Sequence, residues 1–196
     1  MDKKQWNRHM AWLSNAVGGD FLNFCIQASN PRVQHKIDYE DSSLSDIIET
    51  IYPLYTEHAI LTWNYISIPL SYKYDISYMI DDIIKLLMEL HDKPSGNKII
   101  YWLPDTFRCD WIVNWKKGNI KIKSKWNCTV GHLERLLNEV PEIDIPINIF
   151  INEWKEVLGN IIQGIKICGY DKFHAEEIQG LLECYDYIEE SGILYK

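Results

Sequence analysis

Cysteine is scarce and unpatterned. The five residues, Cys25, Cys109, Cys128, Cys168 and Cys184, are odd in number and widely spaced. No Cys-x-x-Cys pair occurs, which excludes a zinc ribbon, a dithiol redox motif and a disulfide framework. Buried free thiols are the expectation. Long apolar runs are also missing, since no stretch approaches the roughly 18 to 20 residues that cross a bilayer. The basic opening, Met1 to His9, leads into Met10 to Val17, which Trp12, Ser14 and Asn15 interrupt. No signal-peptide apolar core follows, so the chain reads as cytoplasmic with no membrane partner. Glycine motifs are absent as well: there is no P-loop, G-x-G-x-x-G, G-x-S-x-G, H-E-x-x-H or EF-hand pattern. Gly18-Gly19 is the only glycine pair, and no phosphate-holding Lys-Ser or Lys-Thr follows it.

What is present is a globular composition, 196 residues with 46% hydrophobic and 24% charged side chains. That length supports one well-buried core rather than two large domains. The formal charge is -8, and it is unevenly placed. Residues 1–36 carry +3, residues 37–92 carry -9, residues 93–125 carry +6 and residues 126–196 carry -8. Such alternation in a small domain gives a polarised surface able to steer a charged partner.

Periodicity places the elements. Trp6, Met10, Leu13 and Val17 fall at helical spacing, with Gly18-Gly19 as the stop. Phe21 to Ile26 is apolar and open between strand and helix. A polar loop follows to Ser43, which with Asp46 makes a capping box for a helix through Leu44, Ile47, Ile48 and Ile51. Ile66, Ile68, Leu70, Tyr72 and Tyr74 alternate with Ser67, Pro69, Ser71, Lys73 and Asp75, the period of a strand. Pro69 puts that strand at a sheet edge or a bulge. Ser77 is expected to cap a helix whose stripe is Ile80, Ile83, Leu87 and Leu90. Lys98 to Leu103 reads as a strand.

A hairpin turning at Lys117-Gly118 would pair Trp115 with Ile120, Val113 with Ile122, Trp111 with Ser124 and Cys109 with Trp126. Its opposite face would pair Asn114 with Lys121, Ile112 with Lys123 and Asp110 with Lys125. Burying the tryptophans makes the first face core, and edge lysines on the second discourage aggregation. Leu133 to Leu137 suggests a short helix, and Val140 to Pro146 is extended. Phe150 or Ile151, Trp154, Leu158, Ile161, Ile162 and Ile165 define a long helix stopped by Gly169, with Gly159 and Gly164 marking close packing. A last helix from about Phe173 to Glu190 turns Ile178, Leu181, Leu182, Tyr185 and Ile188 inward and carries acids outside. The expectation is one α+β domain over 1–196, an antiparallel sheet with a central hairpin packed against amphipathic helices. Residues 1–42 would form an N-terminal helix and polar loop, 43–169 the core, and 170–196 an acidic helix.

Candidate chemistry is thin. His174 and Glu177 stand three apart on a helix, but metal-holding bundles need further such helices. Cys109 or Cys128 with His132 could form a nucleophile pair only with an activating base or cation, which the spacing does not demand. Adjacent acids such as Glu40-Asp41 and Glu176-Glu177 read as solvated, because tuned carboxyls require burial. Net charge opposes nucleic-acid binding despite Lys116, Lys117, Lys121, Lys123 and Lys125. No catalytic residue, metal or cofactor is expected. Protein binding remains, with acids for encounter and aromatics for affinity.

One stretch carries a family likeness: the strand Ile99-Ile100-Tyr101-Trp102, the hairpin Trp111 to Trp115 with Ile120 to Trp126, and the helix start Phe150-Ile151-Asn152-Glu153-Trp154-Lys155. It covers about a third of the chain and resembles bacterial immunity proteins, the small cytoplasmic inhibitors encoded beside polymorphic or contact-dependent toxins. The resemblance implies a non-catalytic inhibitor without cofactor, whose partner is a cognate protein toxin, a basic nuclease being the candidate class. It assigns no residue. From charge alone, the expected contact surface is Glu40 and Asp41 on the polar loop, or Glu176, Glu183 and Glu190 on the last helix. The alternative is an interaction or regulatory adaptor without a toxin partner.

Overall fold

A computed structural model describes residues 23–193, with side chains described through 188. The helix expected over Trp6 to Val17 and the side chain of Glu190 lie outside the described residues. Among the described residues, five helices and two antiparallel sheets make a mixed α+β fold.

The first sheet has the order β1 (Phe24–Gln27), β2 (Ala59–Trp63), β3 (Ile66–Leu70). Residues 23–42 are therefore more than a loop, because β1 pairs with β2 from Phe24↔Trp63 to Gln27↔Ile60. Between β1 and β2 lies α1 (Leu44–Ile51), whose first turn is capped as expected: the Ser43 hydroxyl accepts the Asp46 N–H at 3.1 Å. Leu44, Ile47, Ile48 and Ile51 form its fully buried face.

The alternation read through Tyr74 stops early. Strand β3 ends at Leu70, and a π-helical turn over Tyr72–Ile76 runs straight into α2 (Ser77–Asp92). Ser71 is the cap in place of Ser77: its hydroxyl accepts the Tyr74 N–H, while the Asp75 carboxylate accepts the Ser71 N–H at 2.8 Å. This reciprocal pair starts the helical run at Tyr72, five residues before Ser77. Ser77 is instead buried inside the helical run, its hydroxyl donating back to the Lys73 carbonyl at 2.6 Å.

The second sheet has the order β4 (Ser95–Trp102), β5 (Phe107–Lys116), β6 (Asn119–Thr129), β7 (Glu142–Pro146). Its central hairpin takes the expected register at every pair from Cys109↔Trp126 to Trp115↔Ile120. Lys117 and Gly118 both adopt positive φ, the geometry a two-residue hairpin turn requires. Helix α3 (Glu134–Glu139) leads to β7, and α4 (Ile147–Cys168) then buries Phe150, Trp154, Leu158 and Ile161. A Cβ on Gly164 would stand 2.9 Å from the Ile51 Cδ1, so this glycine does let α4 approach α1 closely. Gly169, at φ 87°, ends α4 in the left-handed conformation. The last helix, α5 (Glu177–Ile193), begins later than expected, after a turn over residues 171–176. All of these elements share one apolar core, and no helix among the described residues is long and apolar enough to cross a membrane.

Candidate functional site

The side chains considered for chemistry are dispersed. Cys109 is fully buried on the inner face of β5, and burial pushes its thiol far above the usual range, away from the nucleophilic thiolate. Cys184 is also buried and held up to about 12 by desolvation. Cys25, Cys128 and Cys168 are only half-buried, so the expectation of buried thiols holds for two of the five. His132 sits in a turn with its N–H on the Thr129 carbonyl, and among the described residues no hydrogen bond joins it to Cys128. His174 is occupied by Asp171, whose Oδ1 lies 2.9 Å from its Nδ1, and Glu177 is exposed at the start of α5. Among the described residues no group of three or more His, Cys, Asp or Glu is placed to hold a metal.

The acidic candidates are brought together in part. The loop with Glu40 and Asp41 lies against the turn that precedes α5, and Tyr170 joins them. Its hydroxyl accepts the Asp38 N–H at 2.7 Å and donates to the Asp41 carboxylate. Asp41 also accepts the Thr50 hydroxyl at 3.2 Å, so this half-buried carboxylate fastens the loop more than it faces outward. Burial, first, and the Asp41 carboxylate push the Tyr170 hydroxyl up to about 12, which keeps it a donor across the physiological range. Glu40 and Glu176 are exposed on the two sides of this junction. A 730 Å³ depression beside Glu176 is lined by Ser42, Lys172, Phe173, His174, Glu176 and Glu177. Glu183 stands further along α5, exposed, with its carboxylate accepting the Gln179 amide at 2.9 Å.

Two aromatic residues that charge alone did not single out complete this face. Tyr39 is 83% exposed and Phe173 is 86% exposed. Each sits in a turn that an aspartate closes on the N–H two residues ahead. Asp38 Oδ1 accepts the Glu40 N–H at 3.1 Å around Tyr39, and Asp171 Oδ1 accepts the Phe173 N–H at 3.0 Å. That second bond is the largest influence holding the Asp171 carboxyl below its usual value, followed by the bond with His174. The spacing Asp-x-Glu and Asp-x-Phe is readable in sequence, but it marks a turn rather than exposure. Beside Phe173, Ile162, Ile165, Ile178 and Leu182 line an apolar groove of 350 Å³.

Comparison with known proteins supplies no relative. The chain matches no protein-family model, no curated protein and no solved structure. The candidate face presents two aromatic rings on turns joined through one tyrosine hydroxyl, with exposed Glu40, Glu176 and Glu177 around them. Lys172 lies with its ammonium 5.7 Å from the Phe173 ring centroid, and an apolar groove runs alongside. Such an arrangement suits contact with a basic protein surface, where rigid aromatic anchors limit the ordering cost of association.

Proposed function

We propose that this protein is an immunity-type inhibitor, which binds a basic protein toxin through the acidic face around Tyr39 and Phe173 and covers the toxin's active site. The observation that carries the reading is the junction at Tyr170. It holds the Asp38–Asp41 loop against the Asp171–Glu176 turn, so that aromatic anchors and acids from distant parts of the chain form one surface. Charge complementarity hastens encounter with a basic enzyme, and buried aromatic anchors slow dissociation. The inhibitor itself acts without catalysis or cofactor. A high thiol pKa at Cys109 accords with that reading.

The test is co-expression with the product of the neighbouring gene. Protection of the cell by the intact chain is expected, and so is loss of protection in the Tyr39→Ala/Phe173→Ala double variant at unchanged thermal stability. Tyr170→Phe removes only the hydroxyl that ties the two turns. It should weaken binding by about tenfold while leaving the far-ultraviolet spectrum as it is. A harmless neighbouring product that still forms a complex would move the reading to an adaptor, and a toxic product indifferent to this protein would end it.

A further inference from the structure

A sheet edge exposes backbone N–H and C=O groups, and proteins commonly cover or interrupt such edges. Three of the four edges here are treated in that way. The Glu153 carboxylate of α4 accepts the outward Ile26 N–H of β1 at 2.6 Å. In β3, Pro69 removes a donor altogether. On the β7 side, the Asn64 side-chain amide donates to the carbonyls of Val140, at 2.8 Å, and Glu142, at 2.9 Å.

The fourth edge is different. Strand β4 is eight residues long, has no proline, and pairs only with β5. Among the described residues no side chain or loop is hydrogen-bonded to its backbone from Ser95 to Trp102 beyond that ladder. The second half of its outer face is apolar as well as bare, beyond Ser95 and Asn97: Ile99 is 55% and Tyr101 58% exposed, and Ile112, directly opposite Ile99 in register, is 45% exposed. Around the start of the strand the charge is positive. Lys93 and Lys98 share one carboxylate, Glu89, at 3.6 Å each, while Lys116 and Lys117 form no ion pair among the described residues.

We propose that β4 is a docking edge for an extended strand of a partner protein, which adds to the four-stranded sheet as a fifth strand. Backbone hydrogen bonds supply the pairing, same-face apolar side chains of the incoming strand cover Ile99 and Tyr101, and acidic side chains further along that face reach over Ser95 toward Lys116, its partner in register. A second copy of this chain is a poor occupant, because its own β4, Ser95–Trp102, carries no carboxylate to offer Lys116. This surface is separate from the face around Tyr39 and Phe173 and does not rest on the inhibitor reading.

Hydrogen exchange on the full chain tests the edge, using as probe a fluorescent synthetic peptide of about ten residues whose one face carries valines, to meet Ile99 and Tyr101, followed by glutamates, to reach Lys116. In the free protein, alternate β4 amides should exchange rapidly. The probe should bind, protect those amides and lose affinity with added salt, whereas a valine–lysine peptide should not bind. Ile99→Lys, at an exposed position that leaves the fold intact, should weaken the probe by about tenfold or more, and Tyr101→Glu should do the same by a different charge. The proposal is overturned if all β4 amides are already protected in the free chain. Equal binding of both peptides would overturn it too, as would a dimer that Ile99→Lys converts to monomer, since the occupant would then be a second copy.

Discussion

In the four-stranded sheet, β6 buries Ile120, Ile122, Ser124 and Trp126 and exposes every residue between them, so one face is core and the other is open to solvent. In the three-stranded sheet, the residues between the buried positions of β2, Ile60 and Thr62, are themselves half-covered. The four-stranded sheet thus leaves a face open to solvent, while the three-stranded sheet serves mainly as packing. The two are joined at two places of opposite character. One junction is apolar: Trp63 of β2 lies with its ring centroid 5.6 Å from Trp111 and 5.4 Å from Trp126 of the larger sheet. The other is polar: the carboxylate of Asp75 accepts the Ser71 N–H just after β3 and the Thr106 hydroxyl just before β5.

The largest expected effect follows from emptying the apolar junction. Trp63 is fully buried, and Trp63→Ala should cost about 3–5 kcal/mol in denaturant unfolding. Because both sheets lean on that ring, fluorescence and circular dichroism should still report one coincident transition. Two separated transitions would show that the sheets fold independently and that the junction is incidental.

Next is a change confined to the larger sheet. A Cβ on Gly96 would lie 2.2 Å from the Trp115 ring, which packs flat over this glycine and donates its indole N–H to the Lys93 carbonyl at 3.0 Å. Gly96→Ala should displace the indole and cost about 1–3 kcal/mol, with a shift in tryptophan emission. A smaller contrast separates two tryptophans of the junction. The Trp63 indole N–H donates to the Val140 carbonyl at 3.1 Å, whereas that of Trp111 is buried with no acceptor among the described residues. Trp63→Phe should therefore be costlier than Trp111→Phe by about 1 kcal/mol, since the first loses a hydrogen bond while the second removes a buried donor that has no acceptor among the described residues. Equal costs would mean that ring area alone decides.

The larger sheet was the more legible of the two in sequence, for physical reasons. Buried Cys109, Trp111, Val113 and Trp115 at every second position of β5, Lys121, Lys123 and Lys125 at every second position of β6 and a Lys117-Gly118 turn leave the ribbon a single register. The smaller sheet lacks both signals. Ala59–Trp63 is an apolar run without sharp alternation, and its turn, Asn64-Tyr65, adopts positive φ at both residues without a glycine to announce it. Beyond Leu70 the alternating pattern persisted to Tyr74, but the capping pair Ser71 and Asp75 outweighed it and began a helix. On the candidate face the acids could be read from charge. Tyr39 and Phe173 could not, because an isolated aromatic in a polar run looks the same whether it is buried or presented.

The polar junction gives the smallest effect and the one with a pH signature. Asp75 is 1% exposed, and its carboxyl is pushed above the usual 3.8 chiefly by burial, against the opposing pull of the Thr106 and Ser71 hydrogen bonds and of His58. A carboxyl with a raised folded-state pKa keeps its proton more tightly in the folded chain than in the unfolded one. Its contribution to stability is therefore greatest below 3.8, declines as pH rises from 3.8 through the raised value, and stays lower above it. In Asp75→Asn the side-chain oxygen can still accept the Ser71 N–H and the amide can donate to the Thr106 hydroxyl, without a charge to bury. The variant should be more stable than the parent at neutral pH, and the difference should shrink toward zero as pH falls to 3.8. Urea unfolding of both proteins across that range measures it. A variant less stable than its parent at neutral pH would show that the ionised carboxylate strengthens this junction, and the two places where the sheets meet would then be alike in holding them together.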